Sequence, residues 1–244
     1  MLYKDKIKEN FSKAVSSYES VAFVQKEAAK VLVELLRDHV KTNIVDILDV
    51  GTGTGTVITE LLPFYPTARY ILNDISPQML EAASGVYPHF RSMAGDAEKL
   101  RFEPTDLTIS NLSFQWFTNF EQSVSALWDR TNILCFSVPC KGSFSEWEKI
   151  LHELHLPSPL LHLPTHDELH EFIKELHPVH LWYKTKIFKA SQKSPAAALR
   201  YFQALGANTS RREYPISSIR KILTSSLSPF VLTYDLFFAL LVKS

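Results

Sequence analysis

Three of the seven glycines in this 244-residue chain fall within five residues, in Asp49-Val50-Gly51-Thr52-Gly53-Thr54-Gly55. They follow a dense apolar run, Ile44 to Val50, and precede a stretch with helical spacing. Glycine there permits positive φ and lets a ligand lie directly against backbone. A plain strand-to-helix turn needs one such residue, so three point to a ligand loop. Spacing selects the ligand. A dinucleotide turn, G-x-G-x-x-G, wants its third glycine at position 56, which is Thr56, and a P-loop wants a Gly-Lys pair that is missing here. An acid two residues before the first glycine repels pyrophosphate, whereas a cationic sulfonium with an amino-acid tail is tolerated or attracted. Asp74, at the end of the second predicted strand, can accept from both hydroxyls of a ribose. Asp96, in Gly95-Asp96-Ala97, can accept from the amino group of an adenine. Each acid alone reads as a helix cap. At three successive strand ends they form a constellation.

The elements that must position these residues alternate. Segments 4–15 and 20–38 are predicted helices, the second with Val21, Val24, Ala28, Val31 and Leu35 on one stripe. A strand over 44–50, a helix over 57–64, a short strand at 70–72 and a helix capped by Ser76-Pro77 follow. A weak strand near 90–94, a strand at 106–110, a helix at 120–129 and a strand at 132–138 continue the pattern. Such alternation predicts a parallel sheet covered on both faces. Beyond it, 143–176 reads as helical, 179–190 as a strand, 194–205 and 216–226 as helices, and 230–242 as a long final strand.

Composition narrows the class. With 26 basic and 26 acidic side chains and 45% hydrophobic residues, the chain reads as an ordinary globular protein with no whole-molecule field for nucleic acid or anionic membrane. The apolar run 230–242 is too short, and with Asp235 too polar, to span a bilayer. Two cysteines, Cys135 and Cys140, make no disulfide framework, and the polar start carries no signal peptide. The expectation is a soluble cytoplasmic protein.

Over roughly residues 40–140 the sequence resembles class I S-adenosylmethionine-dependent methyltransferases. The resemblance implies a Rossmann-like, doubly wound α/β fold: a mostly parallel seven-stranded sheet with an antiparallel last strand, an N-terminal helical lid and a helical insertion after the fifth strand. The corresponding segments are 1–38 (lid), 39–142 (cofactor-binding core), 143–178 (insertion) and 179–244 (strands and helices completing the same domain). It also implies S-adenosylmethionine as cofactor and S-adenosylhomocysteine as product. Asp49, Gly51, Thr52 and Gly53 would lie near the methionine part, Asp74 on ribose, Asp96 with Ala97 at adenine, and Ile75, Met79 and Asn111 would complete the contacts. The Pro-Gly-Gly turn usual before the fifth strand is replaced by Asp129-Arg130-Thr131-Asn132.

The acceptor is signalled after the fourth strand, in Ser110-Asn111-Leu112-Ser113-Phe114-Gln115-Trp116. No Asn-Pro-Pro-Tyr, Pro-Cys or metal-ligand set stands there; Gln115 and Trp116 offer one amide and one indole N–H, which suits an oxygen acceptor. A core Trp beside a capping Gln is the plainer alternative. Taken with the Phe11–Gln25 segment around Tyr18 and with Leu199-Arg-Tyr-Phe-Gln-Ala-Leu-Gly206-Ala207, this stretch resembles the malonyl-[acyl-carrier protein] O-methyltransferase family of biotin synthesis. The resemblance implies Tyr18, Gln115 and Trp116 at the reacting end, Tyr18 as a lid contact, a basic side chain anchoring the acceptor, and a malonyl thioester on acyl carrier protein as partner. Methylation of small free carboxylic acids, or a nucleotide-binding module without catalysis, are the alternatives.

Two further patterns bear on partners. Seven of the nine histidines lie between His152 and His180, but His166-Asp-Glu-Leu-His170 departs from the zinc-hydrolase His-Glu-x-x-His, so they read as surface and interface residues with no metal. The neutral total also hides a division: residues 181–244 carry ten basic and two acidic side chains. Arg200, Arg211 and Arg212 are the first candidates for docking an acidic carrier protein.

Overall fold

The computed structural model describes residues 3–158, 161–209, 216–223 and 230–243. Its helices are α1 (Tyr3–Val21), α2 (Phe23–His39), α3 (Thr56–Leu61), α4 (Pro77–Val86), α5 (Phe120–Asp129), α6 (Ser145–Glu153), α7 (His166–Glu175), α8 (Pro195–Ala204) and α9 (Ile216–Leu223). Its strands are β1 (Asp46–Val50), β2 (Arg69–Asp74), β3 (Arg91–Ala94), β4 (Thr105–Asn111), β5 (Thr131–Pro139), β6 (His180–Gln192) and β7 (Phe230–Val242). They form one seven-stranded sheet in the order β3-β2-β1-β4-β5-β7-β6. The pairs from β3 through β5 are parallel, and β7 inserts antiparallel to both β5 and β6. The reversal of strand order between β1 and β4 is the switch point at which α/β sheets open a ligand crevice.

Side chains that alternate along each strand build a core on either face. On β5, Ile133 and Cys135 join the cluster under α2 and α3, while Leu134, Phe136 and Val138 join the one under α5 and α7. On β7, Leu236, Phe238 and Leu240 face the first cluster, and Phe237, Ala239 and Leu241 the second. A strand buried on both faces reads as a continuous apolar run, as the second half of 230–242 does. Burying a side chain such as Phe136 contributes roughly 1.5–3 kcal/mol. Asp235 interrupts the run and is compensated: its carboxylate meets His166 Nε2 at 3.0 Å and its N–H donates to Ser143 Oγ at 2.9 Å.

The predicted elements are present among the described residues, which leave out 224–226 of the last predicted helix, with two corrections of length. The first two helices run almost into one another, parted at Ala22, because α1 leaves the core to cross the top of the sheet. Segment 143–176 is two helices, since α6 ends at Glu153 and α7 begins anew at Thr165 with a capping box to Glu168. Cys140 lies one residue past the end of β5. Both cysteines are buried and unpaired.

Candidate active site

The C-terminal ends of β1, β2, β3 and β4 open on a cleft roofed by α1. Gly51, Gly53 and Gly55 take φ of +74°, +56° and +92°, the left-handed region in which a side chain is strained. The amides of Gly51 and Thr52 both donate to the Asn73 carbonyl at 2.8 Å, which staples the loop to the end of β2. Asp74 completes the frame. One carboxylate oxygen accepts from Gly53 N at 2.9 Å, the other from Ser76 N at 2.8 Å, so one side chain orients both the glycine loop and the start of α4. Burial pushes its pKa up to about 6 against those two N–H bonds.

Asp49 lies beneath the loop and is wholly buried. Neither carboxylate oxygen, nor the hydroxyl of Thr52, has a hydrogen-bond partner among the described residues. Burial raises the Asp49 pKa to about 7; the nearby Thr52 hydroxyl, short of a well-formed bond, holds it back, and Asp74 adds to the rise. An uncompensated buried carboxylate is a strong attractor for a cation brought close to it.

At the other end of the cleft Asp96 is partnered. Lys4 of α1 reaches its Oδ1 at 3.1 Å and Glu98 Oε2 at 2.6 Å. Against burial, which raises it, the Lys4 ammonium and the Thr118 and Asn119 amides hold the Glu98 carboxyl at about 2. This ties the first turn of α1 to the start of α5. Ile75, Met79, Ala97 and Asn111 line the cleft. Asn111, however, offers no free amide there: its Nδ2 donates to the Gln25 carbonyl at 2.9 Å and its Oδ1 accepts from Ser137 Oγ at 2.7 Å.

A second cavity, about 540 Å³ and mostly apolar, adjoins the cleft between α1, α6, α8 and α9. Phe11, Tyr18, Leu112 and Trp116 line both spaces. Trp116 is held edge-on to Phe11, with ring centroids 5.6 Å apart. Burial, then the Asp74, Glu19 and Tyr201 charges, raise the Tyr18 pKa, so its hydroxyl stays a neutral donor. Gln115 opens on the second cavity, where its Nε2 donates to the Leu112 carbonyl at 2.6 Å.

Helix α1 is tied on the acceptor side through contacts that the sequence segments carrying the resemblance did not specify. Gly206, at φ +72°, lies so close to α1 that a Cβ there would stand 2.8 Å from Phe11 Cα. Asn10 Nδ2 donates to Thr209 Oγ1, and Ser17 Oγ to the Ala204 carbonyl, both at 2.9 Å. A glycine just past a helix signals a turn, but nothing local says which helix docks on it. Lys4 carried no signal, and Gln25 closed the Phe11–Gln25 segment with no role of its own assigned.

The histidines divide. His166 is the partly buried partner of Asp235, and the His170 ring packs on Tyr183 at 4.6 Å. No group of three or more His, Cys, Asp or Glu among the described residues can hold a metal. Arg200 is exposed on α8, while Arg211 and Arg212 lie outside the described residues. No helix among the described residues is long and apolar enough to cross a membrane.

A methyltransferase-domain family model matches residues 47–131. The malonyl-[acyl-carrier protein] O-methyltransferase of Neorickettsia risticii is 31% identical over 242 residues, 98% of this chain and 97% of that protein. The enzyme of the same name from Calditerrivibrio nitroreducens is 27% identical, over 83% of this chain and 79% of its own. Among solved structures, a plantazolicin methyltransferase in complex with S-adenosylhomocysteine superposes with a TM-score of 0.59 at 15% identity, covering 99% of this chain and 95% of that one.

The switch-point cleft, its acid-glycine loop and these likenesses define an S-adenosylmethionine-dependent methyltransferase. With 31% identity across nearly the whole of both chains, this chain belongs to the malonyl-[acyl-carrier protein] O-methyltransferase family.

Proposed function

We propose that this enzyme transfers the methyl group of S-adenosylmethionine to the free carboxylate of a malonyl thioester on acyl carrier protein, giving the methyl ester that primes pimeloyl synthesis for biotin. The observation that carries the proposal is the full-length likeness to a relative of that name. Bound in the cleft, the sulfonium supplies a transferable methyl and a positive charge. The residues present fit such a ligand: positive-φ glycines free the backbone for close approach, Asp74 faces the cleft as an acceptor, and buried Asp49 lacks a partner. The cleft has about 70 Å³ free, less than a molecule of this size fills, and Lys4, Phe11 and Tyr18 of α1 stand along it.

A carboxylate acceptor has an ordinary pKa of about 4 and is already ionised at neutral pH, so no general base is required. What the chain must supply is alignment and exclusion of water, a proximity effect that can contribute roughly 7–11 kcal/mol. Tyr18 and Trp116, at the wall shared by cleft and cavity, are the residues we assign to that alignment, with Tyr18 donating from its protonated hydroxyl. Asp74 holds the ribose. Asp74→Ala should weaken S-adenosylmethionine binding by about 2–3 kcal/mol, the scale of hydrogen bonds to a charged group. Calorimetric titration checks this; unchanged affinity would remove Asp74 from the ligand site.

Docking of an acidic carrier protein is supported by the basic C-terminal quarter, in which Lys186 and Lys189 on the sheet-edge strand β6 and Arg200 on α8 are exposed. The buried, unpaired cysteines accord with a reducing cytoplasm. The test is S-adenosylhomocysteine release measured with malonyl-loaded carrier protein, malonyl-CoA and free mono- and dicarboxylic acids. The expected result is preference for the carrier thioester, weakening with salt. Turnover of free acids with none on the thioesters would favour the small-acid alternative instead.

A further inference from the structure

The second cavity is larger than a malonyl group requires. At about 30 Å³ for each water-sized group, a volume near 540 Å³ admits roughly eighteen non-hydrogen atoms, against about six in malonyl. The remainder has room for part of whatever carries the acyl group.

Two buried polar atoms describe that carrier. Gln25 Oε1 and Gln115 Oε1 have no hydrogen-bond partner among the described residues, and both side chains line the cavity. The Gln115 amide cannot be relieved by a flip, because its Nε2 donates to the Leu112 carbonyl. Around them the wall is apolar, with Phe144, Trp147, Phe202 and Leu205. A buried carbonyl oxygen left without a donor is costly, and a ligand that brings an N–H into reach gains in proportion. A carboxylate brings no donor, and neither does an alkyl chain. A pantetheine arm is long and narrow, largely methylene and gem-dimethyl, and carries two amide N–H groups.

We propose that this cavity binds the pantetheine arm of the acyl thioester, with Gln25 and Gln115 accepting from its two amide N–H groups. The proposal rests on the thioester acceptor argued above and assigns its recognition to named residues. The arm is common to carrier protein and coenzyme A, and charge on the protein surface is then what separates those two sources.

The experiment is a series of malonyl thioesters assayed for methyl transfer: on carrier protein, on coenzyme A, on pantetheine with both amides, on N-acetylcysteamine with one, and on propanethiol with none. The expected result is a fall in kcat/KM of about tenfold for each amide removed, on the scale of a hydrogen bond to a buried acceptor. Gln25→Leu should cost about tenfold on the pantetheine thioester and leave the propyl thioester unaffected, and Gln115→Leu should cost about tenfold more on the pantetheine thioester than on the propyl one. A carrier-protein rate above that of malonyl-CoA would add surface docking to arm recognition; equal rates would mean the arm alone is read. Equal kcat/KM for the pantetheine, N-acetylcysteamine and propyl thioesters would overturn the inference and leave the proposed reaction standing. Variants that lose the propyl thioester as much as the pantetheine one would overturn it too. Because the substrate series needs only the wild-type enzyme, it decides the matter even if a variant fails to fold. Turnover of free acids alone would contradict the proposed reaction itself.

Discussion

Replacing Asp49 by asparagine is expected to stabilise the ligand-free protein while weakening its hold on S-adenosylmethionine. The wild-type carboxyl is fully buried with neither oxygen partnered, and burial lifts its pKa from about 3.8 in the unfolded chain to about 7. A folded-state pKa raised in an acid favours the folded state at low pH. The contribution is complete below pH 4 and is lost as pH rises through 7, because the unfolded chain gives up its proton first. A tenfold change in proton affinity corresponds to about 1.4 kcal/mol, so the ionised carboxylate costs the ligand-free fold a few kcal/mol at pH 8. The substituted side chain would leave a neutral unpaired amide instead, which is cheaper. A melting temperature higher by about 3–8 °C at pH 8, with less than half that gain at pH 5, is the expected outcome. Affinity for the cationic ligand should fall by on the order of tenfold, and the wild-type protein should release a proton on binding near pH 6.5. Scanning calorimetry at two pH values and titration in buffers of different ionisation enthalpy measure all three. No gain in stability at pH 8 would mean that Asp49 is compensated.

Gly51→Ala should have the opposite effect on the fold and a larger one on the site. An added Cβ would stand 2.1 Å from Ser113 Oγ and 2.4 Å from Ser113 Cβ, at a φ of +74°. The left-handed conformation costs a side chain about 1–2 kcal/mol, and overpacking another 1–3. Relief requires Ser113 to move, and it begins the short turn Phe114–Trp116 that forms the wall between cleft and cavity. The expected result is a loss of about 2–5 kcal/mol in stability and no detectable cofactor binding. Gly85, inside α4 with nothing within 4 Å of where a Cβ would stand, is the control: Gly85→Ala should stabilise by about 0.5–1 kcal/mol. Equal behaviour of the two variants would mean the loop tolerates a side chain.

The contrast between these glycines shows what the sequence could and could not reveal. The strand ahead of Gly51 and the spacing of Asp49, Asp74 and Asp96 were legible because a dense apolar run and a strand-end acid are local patterns. The antiparallel last strand followed from family likeness, and β7 does insert between β5 and β6. Contacts between distant segments were not legible. Lys4 closing on Asp96 and Glu98, Gly206 seating Phe11, and Asn111 turning its amide to α2 all depend on how helices cross the sheet. The two glutamines of the acceptor cavity differ in the same way. Gln115 stands beside a strand end, where it invited attention, while Gln25 sits on an amphipathic helix and looks like an ordinary polar position.

The central claim, methyl transfer to a carrier-bound carboxylate, is tested most directly by intact-protein mass spectrometry of malonyl-loaded acyl carrier protein incubated with the enzyme and S-adenosylmethionine. The carrier is expected to gain the mass of one methyl substitution, mild alkali to remove it, and carrier bearing an acetyl group in place of malonyl to gain nothing. An unchanged malonyl carrier, under conditions in which the enzyme releases S-adenosylhomocysteine with free acids, would contradict it.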